Sequence, residues 1–349
     1  MKRITFYFLL LTLLLASCAP TPAPTSAGPQ TITVLTHDSF AISEDVVKAF
    51  EADNNAKVSF IQSGDAGSML NQSILTKDAP IADVIFGVDN TFLSRALEAD
   101  IFEAYQSPEL TNIADEFKLD PSNRALPVDY GDVCINYDKA YFTENNLAVP
   151  QSFEDLAKPE YKGVLVVEDP ATSSPGLAFL LATRAHFGDG YLDYWKSLKA
   201  NGTVVVDGWE TAYYTNFSAS SGKGPQPMVV SYASSPAAEV FFASEPLTDS
   251  PTASIVASGM CFRQIEFVGI LKNMPNQALA QKFVDFMLSQ EFQEDMPLNM
   301  FVYPVNKSAK LPEVFTNFAQ AAENPAALSY SEIASNRDAW IEAWTAAMK

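Results

Sequence analysis

From residue 31 onward, short β-branched or wholly apolar runs alternate with stretches whose apolar residues recur at helical spacing. Thr31–Leu35 precedes an expected helix near Glu44–Ala52, Lys57–Ile61 one near Ser68–Leu75, and Ala82–Val88 one near Thr91–Ala99. The second half repeats the arrangement. Val164–Val167 leads into a helix opening at Pro175, Thr203–Val206 into one from Trp209, and Met228–Ser231 into one from Ser235. A run such as Val84-Ile85-Phe86-Gly87-Val88 carries no polar face, which implies a strand buried on both sides. Such alternation predicts an α/β fold in two lobes, each a parallel sheet covered by helices.

Polar residues gather where strands hand over to helices. These junctions are Thr36-His37-Asp38-Ser39, Gly64-Asp65-Ala66-Gly67, Asp89-Asn90, Thr172-Ser173-Ser174, Asp207-Gly208-Trp209 and Tyr232-Ala233-Ser234-Ser235-Pro236. In open parallel sheets the ligand crevice lies beyond the carboxyl ends of the strands, so all six reach one cleft if the lobes face each other. Turn and capping chemistry explains any one of them alone, and the weight rests on their number and mixed chemistry. The run Thr172-Ser173-Ser174 before Pro175 is the sharpest case. One hydroxyl suffices as a cap, so the free N–H groups of that helix start offer a site for an anionic or hydroxyl-bearing ligand, with capping alone as the competing reading.

The 349 residues, 48% hydrophobic and 12% aromatic, can fill the cores of two ordinary domains. Residues 1–17 read as a signal peptide: Lys2-Arg3, then an apolar stretch from Ile4 to Leu15 that is too short to span a bilayer comfortably. Leu15-Ala16-Ser17-Cys18 resembles a bacterial lipoprotein signal, in which Cys18 becomes the lipidated first residue; an ordinary signal with an incidental cysteine is the alternative. Residues 18–30, rich in Pro, Thr and Ala, read as a tether between that anchor and the globular body. The expected location is extracytoplasmic, held at the cell membrane. Losing Lys2 and Arg3 takes the formal charge from −20 to −22, which argues against nucleic acid and fits a cationic ligand. Cys134 and Cys261, both in strand-like segments of an exported chain, form a structural disulfide on one reading and remain two buried thiols on the other.

Catalytic patterns are weak. Gly-x-Ser-x-Gly is absent, there are two histidines, and His186 sits at an expected helix end. Lys223 of "SGKGPQ" (221–226) is followed by glycine rather than Ser or Thr, so this is not a phosphate loop; Ser220-x-x-Lys223 lacks the helix that a Ser-x-x-Lys enzyme needs. No Cys/His metal spacing occurs. The chain reads as a non-enzyme without a cofactor.

Several stretches together, in order, resemble the thiamine-binding proteins of bacterial ABC importers. They are "THDSF" (36–40), "DVIFGVDN" (83–90), "PVDYGDVCINYD" (127–138), "DPATSSPGL" (169–177), "DGWETAYY" (207–214), "VVSYASSPA" (229–237), "FRQIEFVGIL" (262–271), "FVYPV" (301–305) and "NRDAWIEAWTAAM" (336–348). The resemblance implies the type II periplasmic-binding-protein fold, two α/β lobes joined by crossing strands with the ligand cleft between them. Lobe 1 is then 31–128 plus about 262–349, with C-terminal helices reaching across both lobes, and lobe 2 is 129–261. It also implies a monomer that hands thiamine, thiamine monophosphate or thiamine pyrophosphate to a membrane permease.

Carried over residue by residue, the resemblance places ligand contacts at Asp65 and Ala66, Ser173 and Ser174, Trp209, and Tyr232, Ala233, Ser234 and Ser235, with His37, Asp38, Tyr213 and Phe301 as further cleft residues. Trp209 and Tyr232 offer aromatic faces to a cationic thiazolium, Asp65 a carboxylate, and the serines suit the oxygen-bearing tail. His37 stands where some relatives have tyrosine, Phe301 where some have tryptophan, and Ala66 where some have glycine. The rival is a ferric-ion-binding protein of the same fold, reading Tyr213-Tyr214 with His37 as iron ligands. Against it, neighbouring side chains within a helical pattern diverge by roughly 100°.

Overall fold

Among the described residues the chain forms eleven strands: β1 Gln30–Thr36, β2 Ala56–Gln62, β3 Val84–Asp89, β4 Phe102–Glu103, β5 Leu126–Asp138, β6 Leu165–Glu168, β7 Val204–Val206, β8 Met228–Tyr232, β9 Thr252–Ile255, β10 Phe262–Leu271 and β11 Tyr303–Pro304. The computed structural model describes residues 28–219 and 223–348. The signal peptide, Cys18, most of the tether and the loop residues Ser220, Ser221 and Gly222 lie outside that range. Among the described residues no helix is long and apolar enough to cross a membrane.

The strands follow one hydrogen-bonded path, β2-β1-β3-β10-β5-β8-β6-β7. Its two wings are parallel, as the apolar runs imply: β1 with β2 and β3 on one side, β6 with β7 and β8 on the other. The wings are not separate sheets. Two long strands join them, β5 and β10, antiparallel to each other from Phe262↔Val133 to Val268↔Leu126. The first half of β5 faces β10, and its second half pairs antiparallel with β8 and β9. One strand therefore passes from the first wing into the second.

Helix starts fall close to the sequence expectation. Helices run over Glu44–Asn54, Ala66–Leu75, Leu93–Glu98, Ser174–Phe187 and Ser235–Phe241. The one expected from Trp209 is a single turn, Trp209–Thr211, continuing into a wider π-turn over Ala212–Asn216. Every residue of β3 is buried, since helices cover both faces. The last helix, Tyr330–Met348, touches elements of both wings. Its Arg337 is buried and donates from Nη1 to Ser94 Oγ (2.9 Å), while Trp344 meets Trp195 edge-on at 5.4 Å and Trp340 lies under the Arg184 guanidinium. The four-residue spacing of the two tryptophans thus marks a packed face.

Cys134 in β5 and Cys261, just before β10, are joined by a disulfide with Cα atoms 4.4 Å apart. It closes a loop of 127 residues, long enough for cross-linking to remove much of the unfolded chain's freedom. Reduction should lower the unfolding free energy by about 2–4 kcal/mol. Urea melts with and without reductant check this, and thiol labelling of the denatured, unreduced protein should find no free cysteine other than Cys18.

Candidate functional site

The strand-to-helix junctions converge on a cavity of about 360 Å³ between the wings. His37, Asp38 and Ser39 after β1, Asp65 and Ala66 after β2, Ser174 after β6, Trp209 and Glu210 after β7, and Tyr232 and Ser235 after β8 all line it. Glu266 of β10 and the segment Asn299–Val302 supply the remaining wall. The Asp89-Asn90 junction does not reach the surface of the cavity; Asp89 is joined to it through the Gln264 amide, whose carbonyl accepts from the Tyr232 hydroxyl at 2.8 Å.

Asp65 holds the two sides together. It caps its own helix, with Oδ1 accepting from Ala66 N at 2.6 Å. The same oxygen accepts from Ser174 N at 3.2 Å, and Oδ2 accepts from Trp209 N at 3.0 Å. One carboxylate thus sits at three helix starts, where unpaired N–H groups favour negative charge. Beside it Ser68 N donates to Thr172 O at 3.2 Å, and a Cβ on Gly67 would lie 2.8 Å from that carbonyl oxygen, so only glycine permits the approach. Burial pushes the Asp65 carboxyl above its usual range, and hydrogen bonds from Ser173, Trp209 and Ala66 pull it back. The anion position implied by the run of hydroxyls is filled by the protein's own carboxylate.

Trp209 forms the aromatic wall. Its indole stacks on Tyr213 at 4.9 Å and 19°, and Nε1 donates to Ser231 Oγ, which in turn meets Ser235 Oγ at 2.9 Å. The Tyr213 hydroxyl donates to Glu239 Oε1 at 2.6 Å. Tyr232 stands 6.5 Å from Trp209 at a steep angle, its ring seated over Gly131, and a Cβ there would come within 2.7 Å of it. Phe301 meets Phe242 at 5.5 Å, and both line the cavity.

Charge in the lining is one-sided. Asp38, Asp65, Glu210 and Glu266 contribute carboxyl groups, and no lysine or arginine of the described residues lines the cavity. Burial also lifts the carboxyls of Asp38 and Glu210. His37 supplies no compensating cation: burial pushes its imidazole down to about 4.

The sequence-derived set divides by position. Asp65, Ala66, Ser174, Trp209, Tyr232, Ser235, His37, Asp38, Tyr213 and Phe301 line the cavity. Ser173, Ala233 and Ser234 stand behind it. Ser173 is the N-cap of the helix Ser174–Phe187, Ala233 N bonds Asp132 O, and Ser234 Oγ donates to the Phe301 carbonyl. Sequence reasoning missed Glu210, Phe242, Glu266 and the Asn299–Met300 pair. Glu266 alone carried a signal, a charge inside the otherwise apolar run Ile265–Leu271.

Two wings joined by crossing strands around an acidic, aromatic cavity define a protein that captures a small solute. The chain belongs to the bacterial extracellular solute-binding proteins, whose family model matches residues 79–327. It is 32% identical over 340 residues to the thiamine-binding periplasmic protein of Salmonella typhimurium, covering 96% of this chain and 97% of that one. It is also 32% identical to the Escherichia coli protein of that name, covering 93% and 95%. A solved periplasmic thiamin binding protein superposes with a TM-score of 0.79 at 29% identity, over 95% of this chain and all of the other. The architecture is accordingly the type II periplasmic-binding-protein fold, the protein acts outside the cytoplasm, and its relatives are binding proteins.

Asp65→Asn should keep the fold, since an amide still caps, but it weakens three charge-assisted bonds at once. The expected result is unchanged circular dichroism, a loss of about 1–2 kcal/mol in stability, and a larger radius of gyration in solution scattering as the wings part.

Proposed function

We propose that this protein captures thiamine or one of its phosphates in the cleft by closure of the lobes and delivers it to an ABC permease. The observation that carries the reading is the Trp209–Tyr213 stack facing a cavity with four carboxyl groups and no basic side chain. Thiamine combines a flat aminopyrimidine, a permanently cationic thiazolium and an oxygen-bearing tail. Indole and phenol faces attract such a cation, acidic groups offset its charge, and the cavity volume falls in the range of small-ligand sites. The names of the relatives support the same ligand. On this reading Asp65, Ala66, Ser174, Trp209, Tyr232 and Ser235 touch the ligand, and Ser173, Ala233 and Ser234 hold the loops that present them.

On this reading the protein binds its ligand without turning it over, as its relatives named as binding proteins support. The Ser39 hydroxyl meets His37 Nδ1 at 3.0 Å, but burial holds that imidazole down at about 4, too weak a base to activate it. The protein works as a monomer tethered to the membrane through lipidated Cys18, with residues 31–128 and about 262–349 as one lobe and 129–261 as the other. The iron reading is disfavoured by the tyrosines. Tyr213 is stacked on Trp209 and gives its hydroxyl to Glu239, and the Tyr214 ring stands at 82° to it.

Mass spectrometry of ligand released from the native protein should find thiamine or a phosphorylated form, and added thiamine should raise the melting temperature. A phenolate-to-iron absorption band with ferric citrate, together with no thermal shift from thiamine, would replace this reading by the rival. Trp209→Ala should weaken thiamine binding by about tenfold or more, a cation–π contact being worth ~1–2 kcal/mol when desolvated, and Trp209→Phe should lose less. Titration of intrinsic fluorescence checks it: strong quenching in the wild type, weak in Trp209→Phe, with circular dichroism unchanged in both.

A further inference from the structure

Asp129 of β5 and Glu266 of β10 are register partners in the crossing ladder, so their side chains share one face. Glu266 lines the cavity, and Asp129 lies fully buried behind it. Neither Asp129 oxygen has a hydrogen-bond donor, and its carboxyl group rests against that of Glu266. The strand register slips between Glu266 and Phe267, a bulge that re-aims the side chain beside it. The other groups facing the pair bring no positive charge. His37, from the end of β1, has Nε2 at 3.5 Å from Glu266 Oε1 without a hydrogen bond, and burial keeps it neutral. Asp65 and Asp89 are acidic, as are Asp38 and Glu210 at the cavity wall, and the Tyr232 hydroxyl is given to Gln264.

We infer that Glu266 is the counter-charge for the cationic ring of the ligand, and that ligand entry expels a proton which Glu266 and Asp129 share in the empty protein. Two carboxyl groups in contact, buried and without a cation, cannot both ionise, so one proton stays between them. A ligand with a fixed positive charge supplies the missing cation, the pair ionises fully, and the proton passes to the buffer. Asp65 is less suited to this task because both its oxygens already accept backbone N–H bonds. Burial raises both carboxyls, Asp129 to about 7 and Glu266 well above its usual value, in keeping with a proton retained between them in the empty protein. The inference rests on the reading of the cleft as a thiamine site.

The test is calorimetric titration of thiamine into the mature protein in phosphate and in Tris, whose ionisation enthalpies differ, between pH 6 and 8. A neutral thiamine analogue with thiophene in place of thiazolium serves as the comparison. Wild type should release about one proton per thiamine and none with the analogue, and its thiamine affinity should rise by up to about tenfold per pH unit while the pair is protonated. Glu266→Gln should lose the proton release and most of the preference for thiamine over the analogue. Asp129→Asn should keep that preference, because Glu266 then ionises alone, and lose most of the release; this arm decides the matter if Glu266→Gln does not fold. Thiamine binding to wild type with equal heats after buffer correction and no released proton overturns the inference, as does an undiminished preference in Glu266→Gln. Failure of thiamine to bind wild type at all overturns instead the ligand reading, and this inference with it.

Discussion

The antiparallel pairing of β5 with β10 is the constraint on which the cleft depends. Parallel wings need crossovers and leave their edges apart, so something must span from one to the other; here it is two strands long enough to pair with both sides. Their ladder puts Asp129 against Glu266, and Gln264 within reach of Tyr232 and Asp89, at the base of the cavity. The Cys134–Cys261 disulfide ties the same two strands at the end nearest β8 and β9. Flexing between the lobes must therefore pass through a segment that is hydrogen-bonded and cross-linked.

Closure is fixed by a different interaction, the Asp65 carboxylate at three helix starts. Two of those starts, at Ser174 and Trp209, belong to the opposite side of the cleft, so the same charge that caps one helix also pulls the two sides together. This bears on how a ligand's tail is received. A phosphate reaching the N–H groups at Ser174 meets a carboxylate already there, and it must either displace that group or stop short of it. A hydroxyl tail can instead donate to the carboxylate without disturbing the latch. On the proposed reading, the hold on Asp65, rather than the number of serines nearby, sets the choice among tails of different charge.

Much of this was legible in the chain because the signals are local. Apolar runs mark the strands, and the polar junctions mark the cleft, since both follow from short-range pattern and from the geometry of strand ends. What was not legible is nonlocal. The pairing of β5 with β10 joins segments more than a hundred residues apart, and nothing in either sequence names its partner. Asn299, Met300 and Val302 reach the cavity from a connection far along the chain, and Phe242 from the end of a helix whose start had been recognised. Ser173 shows the limit from the other side. A cap and a ligand contact require the same residue type at the same place, and only the geometry separates Ser173, turned inward to Gly176 N and Asp65, from Ser174 on the cavity wall.

Two residues of the cavity wall, His37 and Phe301, depend on unusual backbone for their places. His37 lies directly over Gly87, whose φ of +102° and lack of a side chain leave room for the ring; a Cβ there would come within 2.3 Å of it. The imidazole can therefore occupy the wall only while residue 87 stays glycine, and being neutral it adds a polar face without cancelling the acidic field. Phe301 adopts φ +52°, unusual outside glycine, and the Ser234 hydroxyl on its carbonyl, together with packing against Phe241 and Phe242, holds it there. Phe301 and Phe242 thus form one aromatic edge of the cavity, packed together with the helix Ser235–Phe241.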